Sequence, residues 1–258
     1  MSMTNVCKWL AVLAMTTLVA ACVTTEKGVF TEKKDKEKAL EYSVQLARGY
    51  VQQRNWDMAK HHLKRAMEID KNDPSVHETL ALVFQNTGEL ELAEQEYKSA
   101  LRLKSDDSRI RFNYGLFLMS QKRYEDAEKA FAKVTDDLLY ERRDSAFTNL
   151  GTARVALGKF ELAEDAFRRA WLMDRSNAAT SFELASVLYT LGKYGEAQQH
   201  YEFYRSQAKR QSARGLWLGL RLADQFKDYN ARDSYALALK NLYPHSKEYL
   251  AYLSIYGK

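Results

Sequence analysis

Few residues in this chain are placed to do chemistry, and the most pointed of them is a cysteine. Cys7 and Cys22 are its only two cysteines, both near the start. Cys22 closes the run Leu18-Val19-Ala20-Ala21-Cys22, in which small residues precede a reactive thiol as they would at a cleavage point. Cleavage before Cys22 leaves one thiol and therefore no intrachain disulfide. The five histidines, His61, His62, His77, His200 and His245, lack metal-ligand spacing. Adjacent histidines on a helix point different ways, and no cysteine or carboxylate completes a tetrahedron; all five read as solvated surface. Gly151–Lys159 superficially suggests a phosphate loop, but its glycines are too far apart. Phe160 also stands where Ser or Thr would hold the metal. Gly192-Lys193-Tyr194 fails for the same reason, and both glycines read as turns. Nucleophile elbow, metalloprotease helix and dinucleotide fingerprint are all absent from the sequence. No carboxylate pair can be nominated as acid and base. The chain is therefore expected to have no catalytic residue, metal site, cofactor or small-molecule substrate.

The segment before Cys22 reads as an address. Lys8 is followed by the uncharged, mostly apolar run 9–21. That run is too short to cross a bilayer comfortably and suits the apolar core of a secretory signal. Leu-Val-Ala-Ala-Cys resembles a bacterial lipobox. The resemblance implies a signal peptide over 1–21 and an acylated Cys22 as the mature N-terminus. Several acyl chains at about 0.8 kcal/mol per buried methylene would make that anchor permanent. The alternative is a plain signal peptide with a chance cysteine. In the sorting rule that goes with a lipobox, Asp after the cysteine favours the inner membrane. Val23-Thr24 stand here, so the implied location is the periplasmic leaflet of the outer membrane. Residues 22–38 then comprise the lipidated cysteine and a polar segment rich in Thr, Glu, Lys and Asp, expected to be a flexible tether.

What must position everything else is a repeat. Leu80-Ala81, Phe84, Gly88, Leu90, Ala93, Tyr97 and Ala100 recur 34 residues earlier as Leu46-Ala47, Tyr50, Trp56, Ala59, Leu63 and Ala66. They recur 34 later as Tyr114-Gly115, Leu118, Tyr124, Ala127, Phe131 and Val134. A fourth unit follows at Leu150-Gly151, a fifth at Leu184-Ala185 and a weak sixth at Leu218-Gly219. Units three and four are 36 apart, which places two extra residues near 136–143. Steps of three and four residues put each set on one face of two helices. A unit this short cannot bury its own apolar face, so the units must stack. Small residues at 47, 81, 115, 151, 185 and 219 allow close helix approach, and Asp73-Pro74 suits an N-cap with proline at the first helical position. This pattern resembles the tetratricopeptide repeat. The fold expected over 39–258 is an all-α solenoid of about six helix-turn-helix units, with Ser246–Tyr256 as a capping helix. The usual unit-ending proline is replaced by Lys71, Ser105 and Arg175, and the sixth unit lacks its turn glycine.

In stacked repeats of this kind the first helix of each pair lines the inner face, and its outward positions follow from the register. They are Arg48 and Gln52; Leu82, Gln85 and Asn86; Phe112, Leu116 and Met119; Thr148, Thr152 and Val155; and Phe182, Ser186 and Tyr189. Phe112, Leu116, Met119, Phe182 and Tyr189 would form an apolar patch suited to a protein partner. The competing reading is that they pack on one another.

The net charge of +5 is spread among many acids. No basic stripe interleaved with stacking aromatics exists, so nucleic acid is not an expected partner. Asn113-Tyr114-Gly115-Leu116-Phe117-Leu118 with Tyr124-Glu125-Asp126-Ala127-Glu128, the longer junction at Leu139-Tyr140, Asn149-Leu150-Gly151, Leu216-Trp217-Leu218-Gly219, Tyr235-Ala236-Leu237 and 239–244 occur in order behind the lipobox. Together they resemble the PilF/PilW family of type IV pilus biogenesis and stability lipoproteins. Glu141-Arg142 depart from its pattern, where proline and glycine would stand. The resemblance implies a pilotin: an outer-membrane lipoprotein that binds the pilus secretin and promotes its localisation and multimerisation. The alternative is a repeat lipoprotein serving outer-membrane protein assembly or peptidoglycan enzymes.

Overall fold

A computed structural model describes residues 29–256, with side chains from residue 34 onward. The chain divides into two compact units, one ending at Lys71 and one beginning at Asn72.

The first unit is a helix pair, α1 (Val29–Gln52) and α2 (Trp56–Ile69). Val44 and Ala47 of α1 are buried with Ala59, Leu63 and Ala66 of α2, and Tyr50 stacks on His62. Asn55 caps α2 by accepting from the Met58 amide. The expected tether is corrected over its second half, because residues 29–38 are helical and continuous with α1. Residues 32–41 are mostly Glu, Lys, Ala and Leu, all good helix formers, and a paired helix C-terminal to them supplies the costly nucleus. The signal segment, Cys22 and the first half of the tether lie outside the described residues.

The second unit comprises five pairs and a final helix: α3 (Pro74–Thr87) with α4 (Leu90–Leu103), α5 (Ser108–Ser120) with α6 (Tyr124–Thr135), α7 (Arg143–Ala156) with α8 (Phe160–Met173), α9 (Ala178–Thr190) with α10 (Tyr194–Gln207), α11 (Ala213–Gln225) with α12 (Tyr229–Leu242), and α13 (Lys247–Tyr256). Each second helix packs on the first helix of the following pair. First helices also approach one another directly, α3 to α5 and so on to α11, whereas no two second helices do so among the described residues. The first helices therefore share one side of this unit. Asp73, Asp107, Asn177 and Ser212 cap first helices with side-chain oxygens.

The repeat register coincides with the core. Ala93, Ala127, Ala163 and Ala197 are fully buried, as are Tyr97, Phe131, Phe167 and Tyr201 beyond them. Gly115 is required sterically: a Cβ there would lie 2.7 Å from the Phe131 ring, and one at Gly151 would lie 2.6 Å from Phe167. Each hairpin turn holds one residue in the left-handed region, Gly88, Gly158 and Gly192 in three turns, and Arg54, Lys122 and Lys227 in the other three. The sixth pair therefore makes its turn without glycine.

An ion-pair ladder, invisible in the apolar register, joins successive pairs. The acid following the buried alanine of one second helix meets the base preceding the next second helix. Arg123 lies 2.8 Å from Glu94, Lys159 2.6 Å from Glu128, and Lys193 2.6 Å from Glu164. Hydrogen bonds from Lys98 and Arg123 hold the Glu94 carboxyl down to about 2. Burial pushes Glu128 and Glu164 upward, but their cationic partners outweigh it and hold both below the ordinary carboxylate range.

Candidate partner-binding face

The shared side of the first helices is where the sequence places a partner surface, and its apolar members need correction. Phe112 is 1% exposed and Phe182 7% exposed, so neither offers a free surface. The two-residue lengthening of the junction explains Phe112. It brings Tyr140 to 6.0 Å from the Phe112 ring and sets the Arg142 guanidinium 4.6 Å above it, while Phe131 packs edge-on from below. Asp137 fixes the junction by accepting from the Ser108 hydroxyl at 2.6 Å and from the Leu139 amide. Arg143 Nε donates to the Thr135 carbonyl. Phe182 is covered by Tyr204 at 4.8 Å and Arg214 at 5.0 Å. Leu82, Leu116 and Met119 are half-buried against the same core as Phe112. Tyr189 lies under Arg221 and beside Tyr194.

What the face does offer is largely polar. Gln85 accepts from the Tyr97 hydroxyl, and Asn86 donates to the Leu82 carbonyl. The Thr148 hydroxyl meets that of Thr180, and Thr152 bonds back to the Thr148 carbonyl. Ser186 is half-buried and Val155 exposed. In the first unit, considered separately, Arg48 is half-buried and Gln52 exposed. Glu78, absent from the expected set, is fully buried on α3 and paired with Arg109 and Asn113 of α5. A buried carboxylate needs such partners. Its charge sets Glu78 apart from the apolar positions that mark the repeat.

Of the residues expected on this face, Phe182 and Ser186 converge on one cavity of about 300 Å³, together with Arg214, Trp217, Arg221 and Lys247. The repeat register does not single out these last four, because the sixth unit's register is weak and α13 lies outside any repeat. Apolar exposure appears elsewhere. Tyr42 is 64% and Leu46 50% exposed on α1, one turn apart, and with Tyr50 they line a hollow in the first unit. The register puts Leu46 at a core position; in an internal repeat a preceding helix pair would cover it, and none precedes α1 among the described residues. Leu139, at the tip of the long junction, is 92% exposed.

The histidines are not uniformly solvated. His77 pairs with Glu96, and His200 packs edge-on against Trp171 at 5.0 Å, where burial and nearby Arg168 lower its pKa. Gly158 and Gly192 are hairpin turns. Among the described residues, no group of three His, Cys, Asp or Glu is gathered to hold a metal.

Stacked helix pairs whose first helices share one side define a tetratricopeptide-repeat protein. The family model for that repeat matches residues 44–106, 78–138 and 148–213. The type IV pilus assembly protein PilF of Pseudomonas aeruginosa PAO1 is 38% identical over 232 residues, spanning 90% of this chain and 92% of that protein. The solved structure of P. aeruginosa PilF superposes with a TM-score of 0.79 at 37% identity, covering 85% of this chain and 99% of that one. The crystal structure of PilW, a widely conserved type IV pilus biogenesis factor, superposes with a TM-score of 0.71 at 25% identity, covering 83% and 98%. The chain belongs to this PilF/PilW family of tetratricopeptide-repeat type IV pilus biogenesis proteins.

Proposed function

We propose that the protein is a pilotin, an outer-membrane lipoprotein scaffold that binds the type IV pilus secretin and promotes its delivery to the outer membrane and its multimerisation. The similarity to PilF, running through nine-tenths of the chain, is the observation that carries this reading. The lipobox-like run ending at Cys22 supports the anchoring half. Acylated Cys22 would hold the protein on the periplasmic leaflet, and the helical repeats would hold a secretin segment until subunits assemble. The role is one of binding without catalysis, which suits a repeat stack whose conspicuous side chains are spent on packing and ion pairs. The test is a Cys22→Ser variant in cells, with membrane fractions probed for heat-resistant secretin multimers. Multimers should be lost from the outer membrane while the variant itself folds normally. Normal multimers at normal abundance in that fraction would refute lipid-mediated delivery.

A further inference from the structure

Arg221 is the least accounted-for charge in the second unit. It sits on α11 with its guanidinium 4.3 Å from the centroid of the Tyr189 ring and 5.6 Å from that of Trp217. Its Nε is buried with no hydrogen-bond partner, and among the described residues the side chain forms no ion pair. Burial pushes this guanidinium below its ordinary range. Arg221 as a whole is half-buried, and a partly desolvated guanidinium costs free energy unless a carboxylate or similar anion meets it. Two aromatic rings flank the guanidinium, and a guanidinium presents in-plane donors suited to a planar anion.

That group has a space to enter. Arg221 lines the cavity of about 300 Å³ together with Phe182, Trp217, Arg214, Lys247 and Glu248. Arg214 is held by Glu183 through two hydrogen bonds of 3.0 Å. Lys247 is exposed and unpaired among the described residues. Glu248, the one acid in the lining, forms no ion pair with Arg221 or Lys247. Cations thus outnumber acids, and the two without partners belong to different helices, α11 and α13, on the walls of one cavity with apolar sides.

We infer that this cavity binds an acidic side chain, Glu or Asp, of a polypeptide lying across the first helices α9 and α11, with Arg221 gripping the carboxylate and Lys247 adding charge at the rim. The half-buried Trp217 wall takes the apolar residue beside it. A planar carboxylate suits the guanidinium fork in a bidentate pair. The inference deepens the scaffold reading and rests on it only in taking the partner to be a protein. Peptide binding is measured on the purified chain and secretin delivery in cells, so either can fail while the other stands.

The test uses fluorescein-labelled, capped Leu-Glu-Leu-Glu-Leu and its Gln counterpart, titrated by anisotropy against the purified full chain in detergent. The Glu peptide should bind at least tenfold more tightly than the Gln peptide. Arg221→Gln and Arg221→Lys should both abolish that preference, since lysine keeps the charge but lacks the fork. Lys247→Gln, a change at an exposed position, should weaken the Glu peptide about threefold and keeps the test decisive if an Arg221 variant misfolds. Equal binding of the two peptides overturns the inference. So does an unchanged preference in all three variants, or full displacement of the Glu peptide by orthophosphate at matched ionic strength, which would mark a general anion site.

Discussion

Lys122 holds a backbone conformation that the turns before and after it give to glycine. Its φ is 58°, against 87° at Gly88 and 72° at Gly158. A side chain in this region costs about 1 kcal/mol, so Lys122→Gly should raise stability by about 0.5–1 kcal/mol, less the entropy glycine adds to the unfolded chain; urea titration measures it. Unchanged or lower stability would mean that the lysine side chain makes an offsetting contact. The ladder acids make a pH prediction. Glu94 titrates near 2 in the folded protein against an ordinary 4.5. A depressed folded value contributes stability fully above the unfolded pKa, which is lost as pH falls through the folded one. The melting temperature should therefore fall between pH 4.5 and about 2, and Glu94→Gln should flatten that fall while lowering the plateau. A parallel pH profile in the variant would remove Glu94 from the acid transition.

At the scale of the helix, Ala127 is the sharpest probe of packing. It is fully buried in the core that includes Phe131 and Phe112. Ala127→Leu should overpack that core and cost about 1–3 kcal/mol, seen as a lower urea midpoint at unchanged slope. The paired helices were legible because alanine, glycine and aromatic residues recur at helical spacing, and that recurrence is itself the packing constraint. What escaped was whatever the apolar period does not carry. The ladder acids Glu94, Glu128 and Glu164 recur in step with the alanines, but only the stack shows what they meet, bringing Glu128 to Lys159. Phe112 obeyed the register yet lost its exposure to the irregular junction, whose Tyr140 could not be placed from spacing. The segment 29–38 misled because a highly charged sequence reads as solvated chain in isolation but extends a helix already nucleated beside it. Arg221 was illegible because the helix that closes its cavity belongs to no repeat.

At the scale of the whole molecule, helix pairs in the second unit touch only their neighbours, so stability there is a sum of local terms and nearest-neighbour interfaces. Amide exchange should be slowest in α5 through α10, whose pairs are flanked on both sides, and faster toward α12 and α13. Uniform protection would argue for one all-or-none unit. Tyr249, Tyr252 and Tyr256 of α13 pack on the cluster of Leu216, Leu220, Ala236 and Leu239. Deleting residues from 247 onward should uncover that cluster, lower the melting temperature and increase binding of a hydrophobic dye. An unaltered melt would show that α13 adds nothing to the last pair. The ladder gives the stack a grammar for growth by tandem duplication. The third and fourth pairs each carry a base for the pair before and an acid for the pair after, so a copied pair inserted between them would find charge complements at both seams. At the fifth pair the acid's place is taken by Gln198, so a copy added beyond it would meet no carboxylate, and lengthening by gene duplication would be favoured in the middle of the array and disfavoured at its end.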